Sequence, residues 1–111
     1  MGISGIPHSQ VEETFRRLSQ KINDIGKKDI TPAEFISVGT FLQEILRIEY
    51  SGKWRIDQEY GSLNPYYIPS VSFSDFTIPL WKRIDEHWRK GKNVSLDKLY
   101  QELKNEISFF K

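Results

Sequence analysis

Cysteine is absent from this chain of 111 residues. Its absence excludes a disulfide framework, a thiolate nucleophile and any zinc or iron–sulfur site built on cysteine ligands. A chain of this length buries roughly two thirds of the surface that its unfolded form exposes, so it can fold without such cross-links. We expect one domain over residues 8–111, preceded by a loose lead over residues 1–7, and a reducing location such as the cytoplasm.

A dominant charge and a long apolar segment are also missing. The 16 basic and 15 acidic residues leave a net charge of +1, which provides no overall field to attract nucleic acid or an anionic membrane. The stretch from Met1 to His8 contains neither a basic residue nor an apolar run, and no segment is long and apolar enough to cross a bilayer. We therefore expect no secretory signal and no membrane association.

The common motifs of phosphate binding and acyl transfer are missing as well. The sequence has no Gly-x-Ser-x-Gly elbow, no P-loop and no Gly-x-Gly-x-x-Gly turn. His8 and His87 are the only imidazoles, and Asp85 and Glu86 are too close to His87 in sequence to face it across a helix. We expect no metal, no cofactor and no catalytic residue. His87 is predicted near a helix end, where a partly charged imidazole interacts favourably with the helix dipole.

The first half of the chain carries two amphipathic helix patterns, in which apolar residues recur every three or four positions. The first begins with a capping sequence at Ser9 and ends at Gly26. The second begins with the capping box Thr31-Pro32-Ala33-Glu34 and ends by Gly52. Gly39 interrupts the second pattern, and we expect another backbone to approach the helix closely there.

The second half predicts two more helices. One is capped by Asp75 or Thr77, carries Pro79 in its first turn and ends at Gly91. The other is capped by Ser95 and has an apolar stripe along one side. These four helices should supply most of the core.

Two short strands are predicted between the helix pairs. Polar and apolar residues alternate from Lys53 to Asp57, and residues 66–73 are rich in aromatic and β-branched side chains. Residues 58–65 predict a loop, and Pro69 makes the second strand an edge or breaks it. Two strands alone are marginal, so the hairpin should lie on the helices. The predicted fold class is α+β, mostly helical, with about four helices packed with a short aromatic-rich β-hairpin. The side chains expected to be buried are Phe15, Phe35, Leu42, Ile45, Trp54, Trp81, Ile84 and Leu103.

Glu44 lies on the second helix, which is apolar over more than half of its circumference. A carboxylate enclosed in such surroundings must be paired or hydrogen-bonded. We expect Lys53, Arg55 or a strand N–H to be its donor.

The segment from Trp54 to Phe76 has an unusual density of aromatic residues beside polar ones. A sheet of two strands cannot bury both faces of so many rings, and exposed tyrosine and tryptophan side chains often anchor protein interfaces. We expect the hairpin surface to bind another protein through Asp57, Tyr60, Tyr66 and Tyr67. A small aromatic subcore explains the same residues and remains open as an alternative.

Two other functions are compatible with the sequence. A small hydrolase or transferase would need a cleft that gathers Glu44, Asp57 and a tyrosine. A weak nucleic-acid binder would use the basic residues of the 82–92 segment with Trp81 and Trp88 as stacking platforms. The two tryptophans share the apolar stripe, which favours a core position and an ordinary basic helix face.

The stretch from Val38 to Arg47, followed by Gly52-Lys53-Trp54, resembles a group of small bacterial domains of unknown function. Similar domains occur among immunity and accessory proteins of bacterial toxin systems. The resemblance extends through Tyr67-Ile68-Pro69 and the Ser95–Tyr100 segment, and so covers residues 31–103, although Gln43 replaces the second glycine of the pattern. It implies a bacterial origin and a protein partner such as a toxin, and it carries over no catalytic residue.

Overall fold

The computed structural model describes residues 8–55, 69–73 and 78–110. These residues form four helices and one antiparallel pair of strands, so the predicted α+β, mostly helical class is confirmed. A 3-10 turn over Lys27–Asp29 joins the first two helices. In chain order, the elements are α1 (His8–Ile25), α2 (Pro32–Tyr50), β1 (Lys53–Arg55), β2 (Ser70–Ser72), α3 (Leu80–Arg89) and α4 (Leu96–Phe110).

The core draws apolar side chains from all four helices and from β2. Of the eight side chains expected to be buried, seven are at most 6% exposed: Phe15, Phe35, Leu42, Ile45, Trp81, Ile84 and Leu103. The prediction for Trp54 is wrong, since 36% of this residue is exposed. Its ring lies beside the polar side of α2 instead of over the core. Ile25 ends the apolar stripe of α1 and is 50% exposed.

The predicted helix ends are largely those observed. Thr31 and Glu34 form the reciprocal capping box, in which the Thr31 hydroxyl accepts from the Glu34 N–H at 3.1 Å and the Glu34 carboxylate accepts from the Thr31 N–H at 2.8 Å. α1 begins at His8, so Ser9 lies inside the helix instead of capping it. α3 begins at Leu80, which moves Pro79 from the first turn to the position before it. Because Pro79 is the N-cap residue of α3, the predicted cap by Asp75 or Thr77 is wrong, and both of these residues lie outside the described ranges.

Gly39 is needed because α3 approaches α2 at this point. A Cβ atom at Gly39 would lie 2.3 Å from Cζ3 of Trp81, far inside van der Waals contact. The predicted close approach is confirmed, but the neighbour is an indole ring and not another backbone. Trp81 is fully buried there.

The strand pair is anchored on the helices by side chains that bind the backbone of β2 and of Pro69, the residue before it. Trp54 pairs with Val71 in the register. The Val71 N–H donates to Oε1 of Gln43 at 3.0 Å, and the indole N–H of Trp81 donates to the Pro69 carbonyl at 3.2 Å. The hairpin therefore lies on α2 and α3, as its marginal size required.

A row of polar side chains along α1 and the 3-10 turn, spaced four residues apart, holds the link between α3 and α4. The Ser19 hydroxyl accepts from the Leu96 N–H at 2.7 Å, and the Asn23 amide exchanges two hydrogen bonds with the Val94 backbone at 2.8 and 2.9 Å. Lys27 donates to the carbonyls of Trp88 and Gly91. We call Ser19, Asn23 and Lys27 the polar ladder.

Among the described residues, no helix combines the length and the apolar composition needed to cross a membrane.

Candidate protein-binding surface

The predicted binding residues Asp57, Tyr60, Tyr66 and Tyr67 lie outside the described residues. The sequence between β1 and β2 contains all four of them. The described part of the predicted surface is therefore its base, which consists of β1 and the side of α2 next to it.

Trp54 is the aromatic residue at this base. Its indole N–H donates to Oε1 of Glu44 at 3.0 Å, which ties the ring to α2. The same carboxylate accepts two hydrogen bonds from Arg47, at 2.7 Å from Nε and 2.8 Å from Nη2. Glu44, Arg47 and Trp54 together are called the Trp54 patch.

The prediction that Glu44 has a partner is confirmed, but its donors are not the expected ones. Arg47 lies one turn further along α2 and Trp54 lies on β1, whereas Lys53 and Arg55 were predicted. Side chains alternate across a strand, so Lys53 and Arg55 point away from the side on which Trp54 reaches Glu44. The hydrogen bonds from Arg47 hold the pKa of Glu44 below its ordinary value, against the opposing effect of burial, and the indole N–H acts in the same direction. Glu44 is therefore an anion whose position is fixed on two sides.

The Trp54 patch combines an exposed aromatic ring with a fixed orientation. A tryptophan offers a large amphipathic contact area, and one that is already oriented loses little conformational freedom when a partner binds. The side chains of Glu44 and Arg47 are each about one third exposed, so the ring has a polar rim within reach of a partner. This arrangement suits contact with another protein.

The geometry gives no support to catalysis by Glu44. Its carboxylate already accepts three hydrogen bonds, and the lowered pKa opposes a role as a proton donor. Asp57, the second acid of that hypothesis, lies outside the described residues. Within the three described ranges, no group of three or more metal-binding side chains is placed to hold a metal ion.

His87 lies at the end of α3, as predicted, but it is not a partly charged dipole partner. Its Nε2 accepts a hydrogen bond from the Ser95 N–H at 3.0 Å, which only a neutral imidazole can do. Burial lowers the pKa of His87, and Lys98, Lys27 and Lys90 lower it further against the opposing effect of Glu102. A cavity of about 220 Å³ lies beside it, between α3 and α4.

The basic end of α3 does not present the stacking surface that a nucleic-acid binder needs. Trp81 is fully buried, and the ring of Trp88 packs edge-on against Phe35 with the centroids 4.8 Å apart. Arg83 forms two hydrogen bonds to Glu106, at 3.0 and 3.1 Å. Its charge is thereby matched by a carboxylate of α4.

One polar cluster was missed by the sequence analysis. Tyr100 donates a hydrogen bond to Glu49, and Nζ of Lys104 lies 3.7 Å from Glu49 Oε2 and 5.0 Å from the centre of the Tyr100 ring. Burial raises the pKa of Tyr100 and lowers that of Lys104. Lys104 lies on the apolar side of α4 between Leu103 and Ile107. Its spacing of four residues from Tyr100 places both side chains on one face of the helix, and this was the signal that the sequence offered. The cluster joins α2 to α4.

No family model, curated protein or solved structure matches this chain. The resemblance to small bacterial domains therefore stays a prediction.

Proposed function

We propose that this chain is a non-catalytic protein-binding module whose binding surface is the hairpin, with the Trp54 patch as its base. The observation that carries the proposal is the exposure of Trp54 together with the hydrogen bond that fixes its indole on Glu44. Residues that dominate binding energy in protein interfaces are most often tryptophan, tyrosine and arginine. The patch contains two of these three types, and the adjoining sequence contributes Tyr60, Tyr66 and Tyr67.

The specific form that we propose is an immunity-type inhibitor or accessory protein of a bacterial toxin system, acting in the cytoplasm. An inhibitor of this kind occupies a surface of its target and needs no chemistry of its own. That requirement agrees with a sequence without acyl-transfer or phosphate-binding motifs. The resemblance of residues 31–103 to such domains supports the same proposal.

The experiment begins with affinity capture by the full chain from the source cell and identification of the bound protein. The dissociation constant of the purified complex is then measured by calorimetry for the wild-type chain and for Tyr60→Ala and Tyr66→Ala. Each variant should weaken binding by more than about 1 kcal/mol while leaving the thermal melt nearly unchanged. If the captured protein is a toxin, the wild-type chain should also inhibit it at stoichiometric concentration.

Two results would contradict the proposal. A partner that binds both variants with the wild-type constant does not use the predicted surface. Variants that unfold instead of losing affinity would assign the tyrosines to an aromatic subcore.

A further inference from the structure

A second surface of this molecule, remote in sequence from the hairpin, has the features of a peptide groove. It lies between the start of α2 and the end of α3 and has a volume of about 430 Å³. We call it the α2–α3 groove. Its apolar side chains are Ile30, Pro32, Phe35 and Trp88.

The lining of the α2–α3 groove carries more positive than negative charge, although the whole chain has a net charge of only +1. Three basic residues, Lys27, Lys28 and Arg89, line it together with one acidic residue, Asp85. Arg89 donates to Asp85 at 2.9 Å, so the opposite charges of these two side chains neutralise each other. Lys27 is held by backbone carbonyls and not by a carboxylate, and Lys28 is exposed and forms no ion pair within the described residues. The charge of Lys28 therefore remains to face an occupant, while the Lys27 ammonium is engaged by the carbonyls at the end of α3.

A second groove of the same volume shows that this charge is not a general property of the surface. It lies between α1 and α2, and its charged side chains are one lysine, Lys21, and one glutamate, Glu34. The two grooves thus differ in charge while both contain apolar side chains. Charge complementarity selects the α2–α3 groove for an anionic occupant.

The apolar lining decides which kind of anionic occupant fits. Single-stranded nucleic acid needs exposed ring faces for stacking, whereas Phe35 is 6% exposed and Trp88 packs against it. Ile30 and Pro32 add aliphatic surface, which suits a bulky apolar side chain. We infer that the α2–α3 groove binds an acidic peptide segment of a partner protein, with one apolar side chain of that segment seated between Ile30 and Trp88.

The inference is tested with the full ¹⁵N-labelled chain and a short capped peptide in which a central phenylalanine has two acidic residues on each side. Amide resonances of Lys28 and Thr31 and the indole resonance of Trp88 should shift during the titration. Lys28→Glu should weaken binding at least about fivefold, because it reverses an unmatched charge beside the peptide. Lys21→Glu makes the same change of charge at the other groove, and it should alter the affinity less than about twofold because of distance and screening.

Three control ligands make the result decisive. A peptide with glycine in place of phenylalanine should bind more weakly. Equal binding would contradict the inference that an apolar side chain of the peptide lies between Ile30 and Trp88. A peptide with lysines in place of the acidic residues should not shift the groove resonances. If it does, or if a single-stranded oligothymidylate shifts them at lower concentration than the acidic peptide, the occupant has been assigned wrongly. Absence of any shift with the acidic peptide would also overturn the inference.

Discussion

Gly39 sets the distance between α2 and α3, because the ring of Trp81 occupies the space that a side chain there would need. Alanine in place of glycine improves helix propensity by about 1 kcal/mol, so propensity alone would predict stabilisation. The added Cβ would meet two atoms of a fully buried ring at 2.3 and 2.6 Å, and overpacking of this kind costs about 1–3 kcal/mol or more. The steric cost of the added methyl group should therefore exceed the gain in helix propensity.

Gly39→Ala is expected to lower the free energy of unfolding by up to about 2 kcal/mol in urea denaturation, which is the overpacking cost of about 1–3 kcal/mol less the propensity gain of about 1 kcal/mol. Thr40→Ala is the control, because Thr40 is exposed on the same helix and its truncation should change stability by no more than about 0.5 kcal/mol. A stabilised Gly39→Ala variant would show that α3 can move away from α2 at little cost.

The sequence predicted that something must approach Gly39, but it could not identify the neighbour. A helical glycine indicates a close contact without a direction, and Trp81 lies 42 positions further along the chain. Trp54 was misplaced for a related reason. Its alternation with polar residues correctly predicted a strand. The burial of the Trp54 ring, however, depended on which part of α2 the strand lies beside.

At the scale of elements, the polar ladder fastens α1 to the link between α3 and α4. The Asn23 amide satisfies both the N–H and the carbonyl of Val94, a residue that is itself 2% exposed. Removing the amide leaves buried backbone groups without partners, which costs about 1–3 kcal/mol.

Asn23→Ala should therefore lower the free energy of unfolding by about that amount, again measured in urea. Gln20→Ala removes an exposed amide from the same helix and should have an effect below about 0.5 kcal/mol. Equal effects of the two substitutions would mean that the ladder contributes nothing beyond helix propensity.

The same link should make stability depend on pH through His87. The pKa of His87 is lowered in the folded chain, so at intermediate pH the unfolded chain binds more protons than the folded one. The contribution of His87 to the free energy of unfolding is thus fully present above its unfolded pKa of about 6.5. It is lost as pH falls through the folded pKa. The slope should stay below the limit of about 1.4 kcal/mol per pH unit for one proton, because the ring is only half-buried.

The measurement is the free energy of unfolding between about pH 5.5 and 8, where carboxylates hardly titrate. His87→Gln should flatten the dependence, since glutamine can accept a hydrogen bond but does not titrate in this range. His8 is present in both proteins and cancels in the comparison. A wild-type slope that persists in His87→Gln would assign the effect to another group.

Element patterns explain which of these features the sequence revealed. The apolar stripes and the Thr31 capping box predicted four helices and most of the core correctly, because both depend on neighbours within one helix. The polar ladder has a spacing of four residues, which is also the pattern of a solvated helix face. Its partners lie more than 60 positions away, so no local pattern could distinguish the two cases.

At the scale of the molecule, the two surfaces that we propose for contact with other proteins are separate. The α2–α3 groove lies at the basic end of α3, whereas the Trp54 patch lies on the side of α2 that receives the hairpin. The sequence predicted the hairpin surface from its aromatic content, but Asp57, Tyr60, Tyr66 and Tyr67 lie outside the described residues. We propose that Trp54 extends that surface, together with the Glu44 carboxylate that accepts its indole N–H.

The role of Glu44 leads to a prediction about coupling within the Trp54 patch. If Glu44 acts in binding by holding the indole, its removal matters only while the indole is present. Glu44→Ala, which removes the acceptor of the indole N–H, should then weaken the complex by itself, but it should add no further loss to Trp54→Ala. Additive losses in this double-mutant cycle would mean that Glu44 contacts the partner independently.

The most direct test of the proposed protein-binding function is the dissociation constant of the purified complex for Trp54→Ala against the wild-type chain, at matched thermal stability. Trp54 is partly exposed and outside the core cluster, so the variant should remain folded. We predict that the dissociation constant rises at least about tenfold, which corresponds to about 1.4 kcal/mol of lost binding energy. An unchanged dissociation constant in the folded variant would contradict the assignment of the Trp54 patch as the base of the binding surface.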